Sequence, residues 1–358
     1  MNRCRNCLLP RRVPGSAIDA SGLCHWCRQP PPAAAAQAAE QQARALRESD
    51  LERTLADVRA SGGPYDVLVC LSGGKDSLYL LHRLKVDYGL KVLAFTTDVN
   101  IPEVAWRSIR RTVARLEVDH LVYRPPEAFY RKLFRHLLMQ QEERGAVYTV
   151  SYVYAPLFEG DALQVATERG IPLVAAGYSP GQPEPERMTY EFSRRLVTET
   201  DWTPPALRDA GIFSNAELAR FWNPARYPAG TRFPRYVAPF HAWPYDQAQV
   251  MREVSRLGLV DRASHASPIV SNYPINWLLM YSDLLNLGYN PYAPEFSALI
   301  RDGRASRRYW QIMAPLVDTM IRRKLLLGRN VSSHLRWLGL TARDLRITQP
   351  RGAYDPPL

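Results

Sequence analysis

The stretch SGGKDS, Ser72 to Ser77, puts two hydroxyls, two glycines, a cation and a carboxylate into six consecutive positions. It follows the short apolar run YDVLVCL and precedes LYLLHRLKVDYG, where Leu78, Leu81 and Leu84 fall on one helical face. A strand-to-helix turn with two glycines, Gly73 and Gly74, lets backbone N–H groups converge on an anion, and the helix N-terminus adds its partial positive charge. Lys75 supplies a mobile cation, and Ser72 and Ser77 supply hydroxyl donors. Asp76 repels phosphate, so it suits either a helix N-terminal cap or a ligand to Mg²⁺ that bridges phosphates. The GxxxxGK[ST] spacing of a Walker loop is absent, so γ-phosphate transfer of that kind is not indicated.

A second group of reactive side chains lies at the start of the chain. Four of the five cysteines form Cys4-x2-Cys7 and Cys24-x2-Cys27, separated by 16 residues, inside the spacing window of a four-cysteine zinc site. Each CxxC turn directs two thiolates at one ion, and two such knuckles complete a tetrahedron. Four sulfur ligands predict a structural Zn²⁺, with His25 in the second knuckle a loop residue. Disulfides are disfavoured in the cytoplasmic setting expected for this chain. Cys70, just ahead of SGGKDS, reads as a small buried hydrophobe.

Positioning such a loop requires a regular framework, and the pattern supplies one. YDVLVCL, KVLAFTTD, HLVYRP and IPLVAAG read as strands. Helices are expected over LYLLHRLKVDYG (78–89) after the first strand, then at about Val104–Leu116, Glu127–Glu143 and Pro156–Arg169. Apolar strands alternating with helices predict an α/β domain with a parallel sheet covered on both faces, in which ligands sit at the carboxyl ends of the strands. SGGKDS, TTDVN (Thr96 to Asn100) and AGYSPGQ (Ala176 to Gln182) occupy those ends. The expected organisation is a zinc module over 1–30, a linker helix over 31–62 and an ATP-binding α/β domain over 63–180. A proline- and aromatic-rich insertion or lid over 181–245 and a helical, basic region over 246–358 complete it.

SGGKDS behind an apolar strand resembles the PP-loop of the ATP pyrophosphatases, the adenine nucleotide alpha-hydrolase-like superfamily. The resemblance implies a doubly wound parallel sheet and cleavage of ATP between its α- and β-phosphates, so that a substrate oxygen is adenylated and pyrophosphate leaves. It implies that Ser72, Gly73, Gly74, Lys75, Asp76 and Ser77 grip the pyrophosphate portion, with Lys75 and Asp76 carrying activation, the latter through Mg²⁺. Asp98 would lie by the adenosine, and Gly177 matches a small residue near the nucleotide. CRNCLLP, AIDASGLCHWC and the run from YDVLVCLSGGKDS to LKVLAFTTD also resemble, in the same order, the N-acetyl sugar amidotransferase family of surface-polysaccharide clusters. That resemblance covers residues 1–125 and thins beyond them. GAVYTVSYVYAPLF carries no cysteines where the family leads one to expect them, so no residue roles are carried over there.

These features predict an AMP- and pyrophosphate-forming amidotransferase or ligase that adenylates a small acceptor, a nucleotide sugar or related metabolite, for attack by ammonia. No GxCxG-like nucleophile elbow is present and position 2 is Asn, so ammonia would come from a separate glutaminase partner. The competing expectation is a tRNA-modifying or sulfur-inserting enzyme, with the zinc module and the basic tail contacting RNA. Further alternatives are a specialised-metabolite ligase and a binding protein that has lost catalysis. The net charge is +11, and residues 301–358 hold 12 Lys and Arg against 4 Asp and Glu, which suits an acidic or phosphorylated partner. No apolar run approaches the ~18 residues of a membrane helix, and no secretory h-region follows the N-terminal charges. A cytoplasmic location without membrane contact is therefore expected. The polar segment SNYPIN (Ser271 to Asn276) is a further candidate for lining an acceptor pocket.

Overall fold

Four apolar runs and one tripeptide align side by side as parallel strands: β1 Val67–Cys70, β2 Val92–Thr97, β3 Asp119–Tyr123, β4 Leu173–Ala175 and β5 Arg235–Val237. The computed structural model describes residues 2–29, 34–180, 188–266 and 273–355. The sheet order is β3-β2-β1-β4-β5, with registers Val67↔Val92, Leu93↔Asp119, Leu68↔Val174 and Val174↔Tyr236. The chain builds outward from β1 to β3, then crosses back to place β4 on the other side of β1. A topological switch point therefore lies between β1 and β4, where open α/β sheets bind ligands.

The strands are apolar because both faces are covered. Side chains alternate across a strand, so Val67 and Val69 face one cluster and Leu68 the other. The first cluster holds helix α1 (Ala34–Ala60) through Leu51, Leu55 and Val58, and helix α2 (Lys75–His82) through Leu78 and Leu81. It also takes Ala105 and Ile109 of helix α3 (Glu103–Leu116). Helix α4 spans Glu127–Met139, and the following residues Gln141–Glu142 pair with Ile347–Gln349 as a short two-stranded sheet. The helix expected to begin at Pro156 instead runs as α5 over Ala146–Glu168, with the proline inside it. Burial of Val150, Val153 and Leu157 outweighs the weak helix propensity of AVYTVSYVYA.

The proline-rich middle contributes to the core. Its tripeptide Arg235–Val237 extends the sheet, and Phe192, Trp202, Trp222 and Tyr236 are buried against the second face. Both indoles are satisfied: Trp202 Nε1 donates to the Leu196 carbonyl at 2.8 Å and Trp222 Nε1 to the Val197 carbonyl at 2.9 Å. Helices then resume with α6 (Gln247–Arg256), capped by Asp246, whose Oδ1 accepts from the Gln249 amide at 2.6 Å. Four more follow: α7 (Asn276–Asn286), α8 (Ala293–Arg301), α9 (Arg307–Arg323) and α10 (Arg329–Leu338). No helix among the described residues is long and apolar enough to cross a membrane.

The chain divides into two compact units. One comprises Met1–Ala39, Tyr130–Ser151 and Pro274–Ala353; the other comprises Glu40–Phe129, Tyr152–Tyr273 and Tyr354–Leu358. The cysteine module thus shares a unit with the C-terminal helices, and the five-stranded sheet forms the centre of the other.

Trp202 is 1% exposed and sits edge-on to Phe192 with ring centroids 5.3 Å apart. Trp202→Ala is expected to lower stability by about 3–5 kcal/mol through cavity formation, read as a shifted denaturant midpoint. A change under about 1 kcal/mol would show that this region is peripheral to the sheet.

Candidate active site

The loop from Leu71 to Gly74 leaves β1 at the switch point and turns directly into α2. Gly73 has φ +79°, and a Cβ there would lie 2.7 Å from the Ala105 carbonyl oxygen, so only glycine fits. Gly74 is the N-cap of α2 and offers no side-chain cap, which leaves first-turn amides available to an anion. The two serines set the shape of the turn. Ser77 Oγ accepts from the Ser72 amide at 3.2 Å and donates to the Gly74 carbonyl at 3.0 Å, and Ser72 Oγ lies 3.2 Å from Ser77 Oγ.

Lys75 and Asp76 are 6% and 7% exposed. Lys75 Nζ donates to Asp76 Oδ2 at 2.5 Å, and Tyr245 donates its hydroxyl to Asp76 Oδ1 at 2.8 Å. Burial, followed by the Asp76 charge, pushes the Tyr245 phenol well above the usual range, against the opposing pull of Ser179. The Asp76 carboxylate is therefore held from both sides. A carboxylate oxygen accepts more than one contact, so a carboxylate in this place is of a type that suits a divalent cation. Ser179 lies in AGYSPGQ, one of the strand-end segments marked by the sequence, whereas no pattern marks Tyr245, which tertiary folding brings to the loop.

Gly177, just past β4, meets the same turn. A Cβ at 177 would fall 2.9 Å from the Ser77 amide nitrogen. The six loop residues and Gly177 are thus brought together, while Gly181 and Gln182 of AGYSPGQ lie outside the described residues. Asp98 sits at the end of β2, 8% exposed, where its Oδ2 accepts from Arg124 Nε at 2.7 Å and Nη2 at 2.6 Å. Its strand is tied to the loop by Thr96, whose hydroxyl donates to the Leu71 carbonyl at 2.6 Å. Near these strand ends, Thr97 Oγ1 donates to Asp161 Oδ2 of α5 at 3.0 Å. Burial raises the Asp161 carboxyl to about 7, against the opposing pull of Thr97 and Arg220. Tyr154, Phe158 and Tyr273 form an aromatic group, with Phe158 and Tyr273 stacked at 11°. Of SNYPIN, Ser271 and Asn272 lie outside the described residues.

Cys70 Sγ lies 3.5 Å from the Tyr236 hydroxyl, and burial pushes its thiol up to about 12. A thiol so raised stays protonated at neutral pH and is a poor nucleophile.

The four N-terminal cysteines converge, with all Sγ atoms within 4.8 Å of one another. Cys4 and Cys27 are 3.7 Å apart and Cys7 and Cys24 3.6 Å. The Cys24 amide points at Cys4 Sγ (3.3 Å), Asn6 Nδ2 at Cys27 Sγ (3.4 Å) and Arg301 Nη1 at Cys7 Sγ (3.4 Å). Burial raises Cys24 and Cys27, whereas around Cys4 the amides of Cys7, Cys24 and Asn6 outweigh burial and hold the thiol down to about 6. His25 turns to Gln29, 2.8 Å away, and takes no place in this group.

No protein-family model matches the chain. Among curated proteins, a probable sulfurtransferase of Methanocaldococcus jannaschii is 43% identical over an alignment of 67 residues that takes in 16% of this chain and 20% of the relative. The chain therefore matches about a fifth of that relative's length. Among solved structures, the U34-tRNA thiolase NcsA from Methanococcus maripaludis, with its [4Fe-4S] cluster, overlaps 95% of this chain and 89% of its own at TM-score 0.36 and 13% identity. NMN synthetase from Francisella tularensis overlaps 86% of this chain and 98% of its own, at TM-score 0.35 and 11% identity. NH3-dependent NAD synthetase from Campylobacter jejuni overlaps 86% and 97%, again at TM-score 0.35 and 11% identity. Superpositions this loose have no bearing on the reaction.

The Asp161 carboxyl gives a pH test. Its ordinary value is 3.8 and its folded value about 7, so the folded state holds the proton more tightly than the unfolded chain. That contribution to stability is complete below about pH 4 and disappears as pH rises to 7. Asp161→Asn cannot ionise, so its stability relative to the parent protein is expected to improve between pH 4 and pH 7 in denaturant titrations. A difference that is the same at both pH values would mean that the carboxyl is not raised.

Proposed function

We propose that the chain is an ATP pyrophosphatase-type enzyme, an AMP- and pyrophosphate-forming amidotransferase or ligase acting on a small acceptor. The observation that carries this reading is the switch-point turn, where Ser72–Ser77 and Gly177 meet around an uncapped helix N-terminus with Lys75 and Asp76 buried at its first turn. Gly73 and Gly177 keep side chains out of the cradle, so a polyphosphate can approach the backbone closely. Lys75 and the loop amides stabilise charge on departing pyrophosphate. Asp76 would hold Mg²⁺, which supplies further neutralisation of phosphate charge, while Tyr245 and Lys75 keep that carboxylate in place. Asp98 would flank the adenosine. Adenylation converts an acceptor oxygen into a good leaving group, and ammonia from a separate glutaminase completes an amidotransfer to a sugar or related metabolite.

A second reading, sulfur insertion into tRNA, has one specific support: the local 43% identity to a protein described as a probable sulfurtransferase. Against it stands Cys70, the only cysteine beyond the N-terminal four, whose half-buried thiol, pushed up to about 12, is unsuited to carrying sulfur. For the cysteine module we propose a structural Zn²⁺. Tetrahedral sulfurs at a Zn–S bond of 2.3 Å stand about 3.8 Å apart, close to the 3.6 and 3.7 Å seen here. Thiolates on the four irons of a cubane cluster would stand about 6 Å apart.

Incubation with ATP, ammonium and a panel of nucleotide sugars is expected to release AMP and pyrophosphate in equal amounts, dependent on one acceptor. Lys75→Ala should reduce that release by about 10²–10³-fold. Release that depends instead on tRNA favours the second reading, and unchanged AMP formation in Lys75→Ala overturns the loop assignment itself. Metal analysis should give about one zinc per chain, and chelation should lower the melting temperature. Iron with a visible absorbance band would overturn the zinc assignment.

A further inference from the structure

The cysteine-bearing unit contains a cavity of about 750 Å³, walled by residues between Asn2 and Arg12 and by helices α7, α8 and α9. This volume lies within the range of small-molecule sites. Its charged lining is one-sided, with Arg3, Arg11, Arg12 and Arg322 against the single carboxylate of Asp318. That carboxylate is already engaged, since Oδ2 accepts from Arg3 at 3.3 Å and Oδ1 from Asn290 at 3.0 Å. The cavity wall therefore carries a surplus of cations.

Two of these cations are held by the fold. Arg12 lies across Gly288, where a Cβ would fall 2.2 Å from Nη1, and Gly288 has φ +79°. Any side chain at 288 would displace the guanidinium, so the backbone leaves room for it. Arg322 donates to the Leu284 carbonyl at 3.3 Å, near the C-terminal end of α7. Both arginines are exposed and so remain open to a ligand. The cavity also has a flat apolar wall, where Trp310 stacks on Phe296 with ring centroids 3.6 Å apart and 20° between planes, near Tyr289.

The geometry points to a binding site for a nucleoside phosphate, with phosphate oxygens on Arg12 and Arg322 and the base or ribose against Trp310. Guanidinium groups present paired donors that match phosphate oxygens, and a flat aromatic wall suits a planar heterocycle. None of these residues belongs to the SGGKDS turn, so the site stands or falls independently of the proposed ATP chemistry. The nucleoside phosphate can be a free molecule, such as a nucleoside diphosphate carrying a sugar, or one residue of an RNA.

The test is calorimetric titration of the full-length protein with UDP, inorganic phosphate and bulk tRNA in parallel. UDP is expected to bind, with Arg12→Glu and Arg322→Glu each weakening it at least tenfold and Arg12→Lys weakening it less. Trp310→Leu, from a different element, should also weaken UDP binding without altering any response to inorganic phosphate. Lys75→Ala should leave UDP binding unchanged, and pyrophosphate release by the arginine variants at saturating ATP tests the loop separately. Binding of tRNA that competes with UDP and needs the same arginines supports the site with RNA as its source. Binding of UDP that is lost in Lys75→Ala but kept in Arg12→Glu, equal affinity for inorganic phosphate and UDP, or no binding of either UDP or tRNA would each overturn the proposal. Melting curves of the variants within a few degrees of the parent confirm that lost binding is not lost folding.

Discussion

The sheet-bearing unit depends on one close approach, that of the turn after β4 to the turn after β1. Pairing of Leu68 with Val174 sets these two strand ends side by side, and the absence of a side chain at 177 lets the Ser77 amide come within reach. A methyl group there would have to push α2 off its position, and α2 carries Lys75, Asp76 and the leucines that pack on β1. The serine hydrogen bonds, the Lys75–Asp76 contact and the N-terminal placement of α2 all follow from that packing.

Burial gives the Lys75–Asp76 pair a particular character. Two opposite charges adjacent in sequence and nearly sealed from water attract strongly, yet each has given up hydration to be there. Removing either partner would strand the other, so a substitution at one position disturbs both. Tyr245, at the end of the proline-rich segment, donates a hydrogen bond to Asp76. The geometry of this carboxylate thus depends on a residue about 170 positions away in the chain.

How much of this was legible in the sequence differs by element. The first four strands were readable because a sheet covered on both faces demands unbroken apolar runs, and the SGGKDS turn was readable because its glycines and its place after such a run have few other uses. The four-cysteine module was marked by spacing alone. The fifth strand was not visible, since RYV between prolines has neither the length nor the alternation of a strand and joins the sheet only because β4 offers it an edge. Helix α5 was read ten residues short, as Pro156 resembles a starting residue when buried neighbours are unknown. Tyr245 and Asp161 gave no signal, because their significance lies in what folding sets beside them. The aromatic residues of the middle region suggested an irregular insertion, whereas Trp202, Trp222 and Tyr236 close one side of the sheet.

The composition of the cysteine-bearing unit from three separated stretches has a bearing on how the chain is made. Its first stretch ends by Ala39, and its last begins only at Pro274. During synthesis the cysteines emerge long before the C-terminal helices, and all four lie within 24 consecutive residues. Those helices, which share their unit, emerge after the whole five-stranded sheet. Contacts of such long sequence separation form slowly, so for much of translation the cysteine module lacks the helices that complete its unit. A metal ion that locks its two knuckles early would keep four thiols from oxidising or mispairing until the remainder of the unit arrives.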